Sequence, residues 1–323
     1  MPNKINYFYV QQEKILVTGA NGQIGSVLTG ALRAQYGEHH VIASDIRQLP
    51  DNQHFNLLNI LDAYQIVEII KRHGITQIYH LAAILSAKGE ADPRGTWDIN
   101  MSGLFNILET AKEWGVKKVF FPSSIAVFGS NAAKENTPQT EICTPETVYG
   151  ISKSAGENWC NYYFLRYGLD VRSLRYPGIV GHQSLPGGGT TDYAVEIYHK
   201  AVENEIFNCF LSENTRLPMI YMDDAIRATL ELMAADPHRM TIRTGYNLAG
   251  MSFSPKDIYE SILPEYPNFQ INYAPDFRQT IADSWTHSIN DEAATQDWGW
   301  KPAFDLPKMT ADMLHQLKKK RGA

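Results

Sequence analysis

Cysteine is scarce in this chain: Cys143, Cys160 and Cys209 are the three in 323 residues, far apart and without a CxxC spacing. That argues against a disulfide framework and a zinc site, and it fits a reducing, cytoplasmic setting; no metal is expected. Long apolar runs are missing too, since no window approaches the roughly 18 uninterrupted apolar residues of a membrane-spanning helix. Positive charge is not in excess. The formal net charge of -6 argues against nucleic acid or an anionic membrane as main partner. The basic run Lys318, Lys319, Lys320, Arg321 is expected to close a helix, where it complements the negative end of the macrodipole. Met1 to Gln12 lack the apolar core of a signal peptide and the arginines of a transit peptide, so residues 1–13 read as a loose extension.

What remains is an ordinary globular composition, 44% hydrophobic with 20% charged residues, in a chain long enough for one large domain or two small ones sharing a cleft. The first half alternates apolar β-branched runs with helix-period segments, the pattern of a parallel sheet covered on both faces. Strands are expected at 14–18, 41–44, 77–81, 118–122 and 170–175, and helices at 26–36, 63–73, 100–114 and 149–167. Gly37, Gly74, Gly115 and Gly168 fall where left-handed caps would end those helices. After Tyr176 a Gly/Pro-rich stretch leads into shorter elements: helices at 192–204, 223–234 and 255–263, strands at 217–222 and 270–273, and a last helix from Leu306. The expected fold class is α/β, a Rossmann-type doubly wound parallel sheet over 14–176. A smaller substrate-binding lobe would occupy most of 177–323, with some segments returning to the sheet.

Between the first strand and first helix lie Gly19, Gly22 and Gly25. A dinucleotide site needs glycine there for a tight turn, for close backbone approach to a pyrophosphate, and for helix–strand packing. The pyrophosphate then meets amides at a helix N-terminus. Asp45 ends the second strand. A carboxylate there accepts from the adenosine ribose and repels a 2′-phosphate, which points to NAD as cofactor, although the nearby Arg47 could accommodate that phosphate.

Tyr149 and Lys153 are four apart at the start of a helical segment and so share a face. An adjacent ammonium and an oxidised nicotinamide would favour the phenolate. Lowering a tyrosine pKa from near 10 to about 7 takes on the order of 4 kcal/mol of differential stabilisation. Upstream, Ser123 and Ser124 close the strand at 118–122, at the sheet edge where ligands of such folds bind. Either could hold a reacting hydroxyl towards the tyrosine, or simply cap a turn.

Together the glycine loop, Ser124, Tyr149 and Lys153 resemble the extended short-chain dehydrogenases, the group that includes UDP-galactose 4-epimerase. The stretch Leu81, Ala82, Ala83 and the later Asn100 match that group's pattern. The resemblance makes Ser124 the catalytic serine and gives Lys153 a second role on the nicotinamide ribose. It also implies NAD contacts at Asn21, Gln23 and Ile24 in the loop, at Ile46 and Arg47 beside Asp45, and at Asn59, Ile60, Tyr176 and Ile179. Asn59 stands where the group often has Asp, and its amide can still bond the adenine amino group.

Several stretches resemble, within that group, the short-chain L-threonine 3-dehydrogenases: 22–25, 85–87, 176–179, 186–193, 215–219 with 222–224, and 281–285 with 297–300. This implies L-threonine as substrate, contacted by Ser86, Ser123, Ser124, Tyr149, Gly189, Thr190, Thr191 and Trp285. From the residues themselves, a Gly-Gly-Gly-Thr-Thr segment offers amides and hydroxyls to a small carboxylate, or serves as a lid hinge. Sugar-nucleotide enzymes carry an arginine before the region of Asp223, where this chain has Leu217 and Pro218, with Arg216 one place early. The rival expectations are an NAD-retaining sugar-nucleotide 4-epimerase and, further off, a non-catalytic NAD sensor. The group also implies a homodimer through the helices carrying Tyr149 and Asn100.

Overall fold

The computed structural model describes residues 13–48, 54–187 and 189–322; of the extension read at 1–13, all but Glu13 lies outside them. The chain runs β1 (Ile15–Thr18), α1 (Gln23–Tyr36), β2 (Val41–Asp45), β3 (Phe55–Leu57), α2 (Ala63–His73), β4 (Gln77–His80), α3 (Ser86–Gly89), α4 (Pro93–Glu113), β5 (Lys118–Ser124), α5 (Val148–Tyr167) and β6 (Asp170–Tyr176). It continues with β7 (Gly178–Val180), α6 (Tyr193–Glu203), β8 (Phe207–Cys209), β9 (Leu217–Tyr221), α7 (Met222–Ala234), β10 (Tyr246–Asn247), β11 (Met251–Phe253) and α8 (Pro255–Ile262). Last come β12 (Ile271–Tyr273), α9 (Arg278–Ser284), α10 (Glu292–Trp298) and α11 (Leu306–Arg321).

Seven strands form one parallel sheet in the order β10-β6-β5-β4-β1-β2-β3. The order reverses between β1 and β4, and in such sheets the crevice at the carboxyl ends of those strands is where a ligand lies. β1, β2 and β4 are almost wholly buried, as strands covered by helices on both faces must be. One covering layer is α2, α4 and α5 over Leu16, Ile78, Val119 and Phe121. The other brings α1 and α7 over Val17, Tyr79, Phe120 and Leu174. A separate apolar cluster joins α6, α8 and α11 to β8, β9 and β11, and its small sheets, β11-β9-β7 and β12-β8, stand apart from the main one.

The expected strands and helices all occur, with shifted ends. α1 begins at Gln23 rather than 26, because the glycine loop itself opens the helix. α4 begins at Pro93 rather than 100: Asp92 accepts from the Gly95 amide and Pro93 takes the first turn, the usual chemistry of a helix start. Gly74 and Gly168 are left-handed caps, and Gly115 (φ +69°) follows the cap residue Trp114. Gly37 departs from expectation. Its φ of 93° and ψ of 148° lie outside the left-handed helical basin, because the chain turns at once into the short turn Glu38–His40. Only glycine takes that conformation at little cost.

Candidate active site

The glycine loop is shaped by backbone contacts. Gly19 has φ +69°, and a Cβ there would stand 2.6 Å from the Ala82 nitrogen. A Cβ on Gly25 would stand 2.1 Å from the Gly19 carbonyl oxygen, so the first turn of α1 sits directly on the loop. Gly22 is the N-cap, with no side chain capping the helix. The amides of the first turn thus face the cleft beside Gln23 and Ile24, a cradle that suits a pyrophosphate. Asp45 Oδ2 accepts from the Asn21 amide at 3.1 Å, and Asn21 Nδ2 donates to the Arg47 carbonyl at 2.6 Å. These bonds place Asp45, Ile46 and Arg47 at the far end of the same loop, where an adenosine ribose would meet the carboxylate. These features fit NAD.

The cleft has a volume of about 670 Å³, within the usual range for a small-molecule site. It is lined by Gly19, Gly22, Gln23, Ile24, Gly25, Leu81, Ala83, Ser86, Ser123, Ser124, Tyr149, Lys153, Tyr176, Ile179, Gly189, Thr190, Thr191 and Trp285. Residues separated by up to 266 positions in sequence thus meet on one surface. Ile84, Leu85, Lys88, Pro122, Ile125, Pro177, Gly178, Ser184, Leu185, Gly187 and Asp192 also line it, and sequence reasoning missed them. Lys88 sits on α3, a four-residue helix too short to leave a periodic signal. For Asp192 the signal was available: an aspartate just ahead of a helix, following a run of glycines. Its Oδ2 accepts from the Gly187 and Gly189 amides at 2.6 and 2.8 Å and so shapes the loop that presents Thr190.

Asn21, Asp45, Ile46, Arg47, Asn59, Ile60, Ala82 and Asn100 are not on that lining. Asn59 Oδ1 accepts from the Leu61 amide at 3.0 Å, and Ile60 packs where a Cβ on Gly103 would stand 2.5 Å from its Cδ1. Asn100 is buried and acts on the cleft indirectly. Its Oδ1 accepts from the Ile84 amide at 2.8 Å, while Nδ2 donates to the Ile84 carbonyl and to Ser152 Oγ. This pins the loop that follows β4. Ala82 and Asn100 instead border a small buried void with His80 and Lys153.

Tyr149 and Lys153 lie on the first turns of α5, the Lys153 ammonium 5.5 Å from the centre of the Tyr149 ring. Lys153 Nζ donates to the Pro122 carbonyl at 2.7 Å. Ser124 stands beside the Tyr149 phenol and acts on its ionisation, and its Oγ accepts from the Ala126 amide at 3.2 Å. Ser123 differs: its hydroxyl donates to Glu157 Oε1 at 2.5 Å, which leaves Ser124 as the serine that meets the tyrosine. Burial pushes Tyr149 up to about 12, only partly opposed by Ser124, while burial brings Lys153 down to about 8, against Cys160 and Glu157. The chain's own groups thus favour the protonated phenol, because burial penalises its charged form by more than Ser124 offsets. Tyr176 turns its hydroxyl to Thr229 in the core. Thr190 is 1% exposed and its hydroxyl has no partner among the described residues, an arrangement that costs free energy unless a ligand completes it.

With this geometry in place, comparison with known proteins is informative. The family model described as the NAD dependent epimerase/dehydratase family matches residues 15–249. An uncharacterized epimerase/dehydratase of Staphylococcus aureus is 45% identical over 315 residues, 95% of this chain and 98% of that one. The holo GalE-like L-threonine dehydrogenase of Cupriavidus necator superposes with a TM-score of 0.93 at 52% identity, covering 94% of this chain and 100% of that one. A monomeric L-threonine 3-dehydrogenase from a metagenome, in its apo form, gives 0.92 at 49% identity, with 95% and 99% covered. The glycine cradle, the serine–tyrosine–lysine cluster and these likenesses agree: the chain belongs to the NAD dependent epimerase/dehydratase family, with an extended short-chain dehydrogenase fold and NAD as its cofactor.

Proposed function

We propose that the protein oxidises L-threonine at its 3-hydroxyl to L-2-amino-3-oxobutanoate, with NAD as acceptor. The observation that carries this reading is the placement of Ser124, Tyr149 and Lys153 across one cleft from Ser86, Thr190 and Thr191. The likeness to threonine dehydrogenases at about half identity supports the substrate.

In this reading Tyr149 takes the proton from the 3-hydroxyl while Ser124 holds that oxygen. When bound, NAD supplies the hydride acceptor and a positive charge that favours the phenolate. Lys153 adds its ammonium beside the ring and would hold the ribose of the bound cofactor. The Thr190 hydroxyl faces the substrate carboxylate, with Thr191 and Ser86 completing the small polar end, while the Gly189 amide is taken by Asp192. Trp285, 6% exposed, closes the apolar side, held by Lys134 Nζ donating to the Trp285 carbonyl at 3.0 Å.

The epimerase alternative needs an arginine for a sugar-nucleotide pyrophosphate. Arg216 donates to the Ser252 carbonyl at 2.6 Å and pairs with Asp257 at 3.3 Å, and it is not on the cleft lining. Incubation with L-threonine and NAD separates the readings. Net NADH formation, much smaller with L-serine, is the expected result; none refutes the dehydrogenase.

Three further parts belong to the same proposal. The chain divides near Tyr176 into a cofactor-binding part, 14–176, and a substrate lobe drawn mainly from 177–323. The protein acts in threonine breakdown in the cytoplasm, consistent with three free cysteines. It forms a homodimer through α4 and α5, whose exposed Trp97, Ile151, Trp159, Tyr162 and Leu165 give those helices an apolar outer face. Sedimentation at micromolar concentration tests the dimer, and the monomeric relative makes a single-chain species the informative contrary result.

A further inference from the structure

Glu157 takes no part in the chemistry above, yet its side chain is only 3% exposed. It lies one turn beyond Lys153 on α5, and the two grip successive residues of β5. Lys153 Nζ donates to the Pro122 carbonyl at 2.7 Å, and the Ser123 hydroxyl donates to Glu157 Oε1 at 2.5 Å. Glycines allow helix and strand to close on each other. A Cβ at Gly156 would stand 2.5 Å from Phe121 Cζ, and one at Gly150 would stand 2.1 Å from the Ala126 carbonyl oxygen.

Arg175 of β6 balances the buried charge with Nε on Oε1 at 2.9 Å and Nη2 on Oε2 at 2.7 Å. Its Nη1 reaches Asn247 Oδ1 of β10 at 3.1 Å. At Gly245 a Cβ would stand 2.6 Å from Glu157 Oε1, so the chain closes over the pair. A buried ion pair is a poor device for stability, because desolvation offsets its attraction and apolar residues often do as well. What an apolar pair could not do is bond Ser123 and place a negative charge beside Lys153.

We propose that Glu157 is a positioning residue for the dehydrogenation: held by Arg175, it fixes the Ser123–Ser124 end of β5 and keeps Lys153 beside Tyr149. This rests on the threonine dehydrogenase reading for its activity assay. Tyr149, Glu157 and Cys160 face Lys153 from its own helix and His80 from β4; β5 offers the Pro122 carbonyl and the Phe121 ring, and α4 the neutral Asn100. Burial draws the ammonium down and the Glu157 charge opposes this. Removing that charge therefore moves loss of the Lys153 proton to lower pH.

The test compares the full-length wild type with Glu157→Gln and with Glu157→Leu/Arg175→Met. Turnover should fall about 10- to 100-fold in both, as expected when a reacting group is slightly misplaced, with KM for NAD little changed. The double variant should regain most of the unfolding temperature lost by the single one, since no unpaired charge remains buried. A double variant with wild-type kcat overturns the proposal. If that variant does not fold, Ser123→Ala decides: an unimpaired kcat overturns it, and a fall of about tenfold supports it. The pH dependence of the NAD-induced rise in unfolding temperature needs no threonine. In Glu157→Gln its alkaline fall should begin at lower pH, and an unmoved profile overturns the proposal. A wild type inert to threonine sinks the substrate reading instead, and this profile still decides on Glu157.

Discussion

The two walls of the cleft are built by different means. The cofactor wall is backbone against backbone: Gly19 against Ala82, and Gly25 against the Gly19 carbonyl. The substrate wall is made by side chains holding loops, with Asp192 gathering the amides before Thr190 and Lys134 holding the turn at Trp285. A backbone wall leaves a mark in any sequence, because only glycine fits it. A wall of side-chain ties can be made in many ways, so its residues carry meaning mainly through likeness to a relative.

The sharpest way to probe that contrast is at the junction of the walls. Tyr149→Phe should lower turnover by at least about 100-fold, the usual contribution of a general base, with NAD binding retained; steady-state rates and NAD titration measure both, and near-normal turnover refutes the base. On the cofactor wall, Gly25→Ala places a Cβ 2.1 Å from a backbone oxygen. NAD binding by calorimetry should then be lost while L-threonine offers no rescue. Substrate-wall changes should be graded instead. Thr190→Val removes a buried hydroxyl and should raise KM for L-threonine about tenfold, the scale of one lost buried hydrogen bond, with KM for NAD unaltered. If KM for NAD rose equally, the two walls would not be separable.

The smallest effect concerns pH. His80 is buried and donates to or accepts from Thr18 Oγ1 at 2.9 Å; burial, with Lys153 nearby, brings it down to about 3. A histidine held neutral in the fold but free to protonate when unfolded favours the folded state fully above about pH 6.5. That contribution declines as pH falls from there towards the folded value. Thermal unfolding between pH 7 and 5 should show the decline, and His80→Gln should flatten its slope.

The same contrast explains what was legible in the sequence. Gly19, Gly22, Gly25, Asp45 and the Tyr149–Lys153 pair stand at fixed offsets from strongly periodic elements, and the cleft gathers the loop glycines and the pair. The short pieces β3, β7, β8, β10 and β11, along with α3, α9 and α10, span two to seven residues. That is too few for a period to emerge, and tertiary packing decides them. Spacing left Ser123 and Ser124 equivalent; what separates them is Glu157, 34 positions away from Ser123.

One strand carries a consequence for how the molecule is made. Tyr246–Asn247 pairs with β6 at the border of the main sheet, yet it is synthesised only after nearly half of the second lobe. About 70 residues must follow Tyr176 before that border is covered. Until then the nascent chain exposes the unpaired rim of β6, a template for wrong partners. A fragment ending at Tyr176 should accordingly associate with itself, and its solubility should improve when a peptide spanning 240–250 is supplied.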